Sequence, residues 1–208
     1  MTFKNQCSDK GVISHYISTI TRDWSNNSDE AGLFEIRCLA ENRKPVSQIF
    51  ALDAVDEATD LAARMNAMKL NVYMSINPSD PDSIAKSGKS TKDDDILRAH
   101  FSFADADDVQ GLRGLSELFK LIEPDIIVTT GTIPHERCHA YWRLIEPCLD
   151  LTLWKERQIQ IAMKFKTDKA VVNPSRIMRV AGTVSYPSRT KLTKGYVQEF
   201  VTMNVSSD

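Results

Sequence analysis

The sharpest chemical signal in the chain is Phe101-Ser-Phe-Ala-Asp-Ala-Asp-Asp108, an apolar run ending in aspartates at i and i+2. Residues two apart on a strand share a face, so Asp105 and Asp107 would lie side by side at a strand end. Adjacent carboxylates repel unless a cation sits between them. Hard divalent ions such as Mg²⁺ favour carboxylate oxygen, with substrate phosphates completing the shell. That reading points to metal-dependent phosphate chemistry. The plainer reading is a solvated strand end running into a helix capped by Asp108. A DxD pair alone does not separate the two.

Two further segments carry reactive side chains. His135-Glu-Arg-Cys-His139 is a literal HExxH string, which binds zinc when it lies on a helix. Here a β-like run over 125–130, a turn and Pro134 precede it. From Cys138 the pattern alternates, with Cys138, Ala140, Trp142 and Leu144 on one side and Arg137, His139, Tyr141 and Arg143 on the other. This predicts a half-buried strand with a cationic and aromatic face. A strand separates His135 from His139, which argues against a zinc hydrolase. Beside a DxD strand, Arg137, His139 and Arg143 outline a triphosphate clamp; the bland alternative is an edge strand with snorkelling arginines. In the third segment, Asp168 offers another carboxylate, Arg176 and Arg179 offer donors, and Gly182 permits close backbone approach. Taken alone, that segment is a turn and a basic strand. Gly88-Lys-Ser90 imitates the end of a phosphate loop, but Ser83 stands where its first glycine belongs.

The elements that must position these groups alternate between strand and helix. Strands are expected at 32–40, 46–52, 70–76, 99–106, 125–130, 138–144, 177–184 and 196–203. Helices are expected at 53–69, 109–122 and 151–165. Residues 77–92, rich in Pro, Ser, Asp, Gly and Lys, predict a mobile loop. There is no internal repeat. The pattern is α+β with mixed sheets and flanking helices.

With 208 residues the chain suffices for one domain with a substantial core or two small lobes. Its net charge of −2 excludes a uniformly basic nucleic-acid binder. The charge is uneven, because no acid interrupts 169–198, which holds Lys169, Arg176, Arg179, Arg189, Lys191 and Lys194. A basic segment facing an acidic centre suits an enzyme holding metal beside a polyanion, and equally a solvated surface. Cys7, Cys38, Cys138 and Cys148 show no metal or disulfide spacing. No apolar run reaches membrane-spanning length and no signal-peptide pattern opens the chain, which together point to the cytoplasm without a membrane partner.

Together the three segments resemble the archaeo-eukaryotic primase superfamily, in particular the primase-polymerase domains of plasmid, phage and integrated-element replication proteins. Phe103-Ala-Asp-Ala-Asp107 is similar to the first motif, Arg137-Cys-His139 to the second, and Asp168 to the third carboxylate. Pro174-Ser-Arg-Ile-Met-Arg-Val-Ala-Gly-Thr183 follows as in the mobile-element branch, which the strands 34–39 and 71–78 also resemble. The likeness spans about residues 30 to 200. It implies an RRM-like catalytic core and a single catalytic domain over 1–208, with a helicase domain or subunit as a further partner. The activity implied is DNA priming and polymerisation from NTPs or dNTPs, on a single-stranded DNA template and primer. Two divalent ions, Mg²⁺ or Mn²⁺, would be held by Asp105, Asp107 and Asp168. Arg137, His139 and Arg179 would bind the nucleotide, and the 77–92 and 186–194 segments would contact template or primer. Asn173 and Arg137 depart from the family pattern. A catalytically reduced single-stranded-DNA-binding initiator module is the alternative.

Overall fold

The computed structural model describes residues 7–24, 32–87 and 90–206. Gly88 and Lys89 of the phosphate-loop look-alike lie outside them. In chain order the elements are α1 (Lys10–Thr21), β1 (Phe34–Leu39), β2 (Val46–Phe50), α2 (Val55–Ala67), β3 (Asn71–Ser75) and α3 (Pro81–Ser87). There follow a 3₁₀ turn (Asp93–Asp95), β4 (Ala99–Ala106), α4 (Val109–Phe119), β5 (Ile126–Gly131), β6 (Arg137–Cys148) and α5 (Leu151–Phe165). The chain closes with β7 (Ile177–Arg179), β8 (Val184–Ser185), α6 (Arg189–Thr193), β9 (Glu199–Phe200) and β10 (Thr202–Val205).

Two four-stranded antiparallel sheets organise the chain, one ordered β2-β1-β3-β7 and the other β10-β5-β6-β4, with β8 and β9 forming a small ribbon. The main core joins them through Phe34, Ile36, Val72 and Met74 from the first sheet and Phe101, Phe103, Val128 and Tyr141 from the second. Helix α1 adds Ile13, Tyr16, Ile17 and Ile20, spaced i, i+3, i+4 and i+7 along one stripe. Asp9 caps it, its carboxylate accepting from the Val12 N–H at 3.1 Å. A second apolar cluster lies on the other face of the second sheet, where Ala104, Ala106, Cys138, Ala140 and Trp142 meet Leu115 and Leu118 of α4.

Helix α5 docks on the open edge of β4. The Trp154 indole N–H donates to the Phe101 carbonyl at 2.9 Å, and the Gln158 amide donates to the Phe103 carbonyl at 2.8 Å. Past the helix, the Asp168 N–H donates to the Asp105 carbonyl at 2.9 Å. Trp154 and Gln158 are one helical turn apart, which matches two residues of strand closely enough to satisfy alternate carbonyls.

Several expectations change. The segment 77–92 contains α3 and is anchored, since the Thr91 N–H donates to buried Glu35 at 2.9 Å. Strand β6 is central and extends to Cys148, and both its faces are buried from Arg137 to Trp142, so it is not half-exposed. The strand expected at 177–184 breaks at Gly182, whose φ of +83° turns the chain from β7 into β8. The backbone that approaches Gly182 is the start of α1, the Asp9 N–H donating to its carbonyl at 2.8 Å. The strand expected at 196–203 splits into β9 and β10. Among the described residues no helix is long and apolar enough to cross a membrane.

Candidate active site

The antiparallel register of β4 and β6 sets Asp105 opposite His139 and Phe103 opposite Tyr141. Alternation then divides the side chains. Ala104, Ala106, Cys138 and Ala140 pack toward α4, while Asp105, Asp107, Arg137 and His139 line a cleft of ≈ 270 Å³. The first sheet supplies Asn71 and Tyr73 from β3 and Arg179 from β7, with Tyr73 and Arg179 paired across the strands. The segment 185–197, bearing Lys191 and Tyr196, closes one side. Asp108 takes no part, because it caps α4 by accepting from the Gly111 N–H at 2.7 Å.

The three aspartates sit in unequal environments. The Asp105 side chain is 17% exposed. Burial pushes its carboxyl up to about 7, the charges of Asp107 and Asp168 push the same way, and Lys191 and Arg179 pull against them. For Asp107 burial also acts upward, but the hydrogen bond and charge of Lys191, whose ammonium lies 3.0 Å from Oδ2, hold the carboxyl below its ordinary value. Asp168 is exposed, and its Oδ1 accepts from the Ala170 N–H at 2.8 Å. Among the described residues no three His, Cys, Asp or Glu side chains converge on one coordination point. What does fit a hard divalent ion is the donor chemistry: three carboxylates close enough to disturb one another, with oxygen the only ligand type they offer.

His139 is neutral. Burial and the Arg179 charge push its imidazole down to about 3, against the smaller pull of Asp107. The Tyr141 hydroxyl lies 3.3 Å from Nδ1, and Nε2 faces Asp105 Oδ2 at 3.8 Å. A neutral ring at that distance makes no ion pair. Arg179 is aimed by Asn71 Oδ1 at 2.6 Å and the Tyr73 hydroxyl at 2.9 Å, with its guanidinium over the Tyr73 ring. Arg137 lines the cleft but is pinned. It donates to the carbonyls of Ile133 at 2.7 Å and His135 at 2.9 Å and to Glu199 at 2.7 Å, and it lies over Tyr196.

Arg143 leaves the expected clamp. It pairs with Asp23 and donates to the Thr19 carbonyl at 3.1 Å, at the end of α1. Asp168 and Arg176 both stand outside the lining of the cleft, but close to it: the charges of Asp168 and Asp105 oppose the effect of burial on the Arg176 guanidinium. His135 lies on the turn before β6, where its Nε2 is 3.0 Å from the Asp107 carbonyl, so the helix that a zinc HExxH site needs is absent.

Two residues emerge that the motifs did not single out. Glu199 organises the turn and Arg137 together, accepting also from the Thr132 N–H at 2.6 Å and its hydroxyl at 2.8 Å. Lys191, expected to contact template, reaches instead into the cleft to Asp107. An isolated acid 62 residues from its arginine leaves no local pattern. The acid-free run around Lys191 gave a hint of a basic element without showing its target.

No protein-family model and no curated protein matches the chain. Solved structures do. The AEP domain of the cyanophage S-2L primase-polymerase superposes with a TM-score of 0.63 at 20% identity, over 98% of this chain and 94% of that one. Primase RepB′ gives 0.62 at 16% identity, over 93% of this chain and 56% of that one. The RepB′ catalytic domain in complex with initiator DNA gives 0.60 at 16%, over 94% and 85%. The mixed α+β architecture, with antiparallel sheets and flanking helices, is the fold that these primase and primase-polymerase domains share.

Proposed function

We propose that the chain is a primase-polymerase catalytic domain that transfers nucleotidyl groups from NTPs or dNTPs on single-stranded DNA. The observation that carries this reading is the cleft in which Asp105 and Asp107 face His139 and Arg179, with the Asp168 backbone bonded to the Asp105 carbonyl beside it. The likeness to a phage primase-polymerase domain and to a primase bound to initiator DNA supports it.

Asp105, Asp107 and Asp168 would hold two divalent ions, Mg²⁺ or Mn²⁺. When bound, such ions activate the attacking 3′-oxygen and stabilise the leaving pyrophosphate. The chain's own residues do the rest. His139, neutral and steadied by Tyr141 at Nδ1, turns Nε2 to the cleft, where in its Nε2–H form it would donate to a phosphate oxygen. Arg179, preset by Asn71 and Tyr73, supplies a fixed positive charge that needs no reorientation as charge develops. Arg137 has three donor contacts committed to protein, so its contribution is the shape and field of the wall formed with Glu199 and Tyr196.

The test is primer synthesis on circular single-stranded DNA, with NTPs and dNTPs in separate reactions. The Asp105→Ala/Asp107→Ala double variant should fold and incorporate no labelled nucleotide. Near-wild-type synthesis by that variant overturns the assignment. Metal-dependent incorporation by the unmodified protein excludes the initiator module without synthesis.

A further inference from the structure

We propose that a groove beside the cleft is the path of a single nucleic-acid strand, its phosphates held by Arg43 and Lys69 and a base resting on Tyr186. The inference rests on the reading above and adds to it a location and a direction of entry.

The groove, ≈ 230 Å³, runs between the β1–β2 turn, the end of α2 and residues 186–188, and it shares Asn71, Tyr186, Pro187 and Ser188 with the cleft. A strand lying in it therefore reaches the cleft without crossing a ridge of packed core. Its rim is basic although the chain as a whole carries −2. Neither Arg43 nor Lys69 has an acidic partner among the described residues. The acid of the groove, Glu41, accepts from the Arg189 N–H at 3.0 Å, which ties α6 to the turn.

These groups are also positioned. Arg43 Nη1 donates to the Met68 carbonyl at 3.1 Å, which holds the guanidinium over the end of α2. Lys69 has φ +63°, a left-handed position that glycine or asparagine fills more easily. Tyr186 is half-buried and anchored at both ends, its N–H to Asn71 Oδ1 at 2.7 Å and its hydroxyl to the Asn66 carbonyl at 3.1 Å. Cations that track phosphates, here a guanidinium held in place and a lysine beside it, next to an aromatic ring that takes any base, are what sequence-tolerant single-strand binding requires. A second basic groove, lined by Arg113, Lys164 and Lys166, lies between α4 and α5. Helix α4 covers the opposite face of the second sheet from Asp105 and His139 and α5 runs along its β4 edge, so a strand bound between them lies away from the cleft.

The experiment measures binding of labelled oligothymidylate by fluorescence anisotropy across a KCl series. The variants are Arg43→Gln/Lys69→Asn and, as comparison, Arg113→Gln/Lys164→Gln/Lys166→Asn; asparagine is used where φ is positive. The first variant should bind several-fold more weakly, and its salt slope should fall by about 1.4, at about 0.7 for each lost phosphate contact. Its nucleotide affinity without DNA should match the unmodified protein, and the comparison variant should keep both affinity and slope. An unchanged slope in the first variant, equal losses in both, or no oligothymidylate binding by the unmodified protein overturns the path. Primer synthesis reports separately on the catalytic reading. A slope that falls as expected in a protein that makes no primer keeps the path and removes the enzyme.

Discussion

Replacing Asp105 by asparagine removes the charge that the fold tolerates least. In the folded chain this carboxyl titrates near 7, against an ordinary 3.8, because it is buried and faces two other carboxylates. Between those values the folded state holds a proton that the unfolded state has lost, so stability is fully present below about pH 4 and drains away as pH rises through 7. A gap of about three units corresponds to about 4 kcal/mol at pH 8, at 1.36 kcal/mol per unit. The side chain is 17% exposed, so solvent screening reduces this little. Asparagine has no such titration and loses little, since the nearest partner of the carboxylate is His139 at 3.8 Å. The His139 shift comes from burial, Arg179 and Asp107, so its own titration cancels between the two proteins. Urea unfolding in EDTA, followed by tryptophan fluorescence from pH 4 to 9, measures the difference. Asp105→Asn should match the unmodified protein near pH 4 and exceed it by a few kcal/mol at pH 8. A difference that is flat with pH, or an asparagine variant less stable at pH 8, refutes the account of crowded carboxylates.

Lys191→Met should bind Mn²⁺ more tightly by about two- to fivefold without nucleotide, because it frees Asp107 from a solvent-screened ion pair of that strength; paramagnetic resonance reads the free ion, and weaker binding would mean that Lys191 helps build the site. Gly131→Ala would place a methyl well inside contact distance of Arg137 Nη2 and Glu199 Oε2. Forcing that buried pair apart should cost about 3–5 kcal/mol in urea unfolding, and a loss below about 1 kcal/mol, ordinary for a surface substitution, would show that the wall yields easily.

The parts of the site legible in the sequence are those with a local period. Strand β4 and helix α5 fall at the residues expected for them, whereas the register that sets Asp105 opposite His139 is fixed only when β4 and β6 pair. Helix α1 carries as clear a stripe, but Ser14, His15, Ser18, Thr19 and Thr21 between its apolar positions are poor helix formers and obscure it. Missing α1 also misplaces Arg143, because its partner Asp23 follows that helix. Glu199 and Lys191 enter the site through contacts 62 and 84 residues along the chain, which only the assembled sheets create.

The bonds along the free edge of β4 have one more consequence. An edge strand with bare carbonyls is a template on which a second chain can add itself. Here Trp154, Gln158 and the backbone of Asp168 occupy the carbonyls of Phe101, Phe103 and Asp105 in turn. Helix α5 thus acts as a ruler laid along the strand that carries the aspartates. One residue inserted between Gln158 and Asp168 would slide the third carboxylate off its mark and, in the same stroke, expose the Asp105 end of the edge to self-association. Spacing errors in that stretch would be filtered twice, as lost chemistry and as aggregation, and Ile161, Ala162 and Phe165, packed between the two marks, tie the ruler to the sheet it measures.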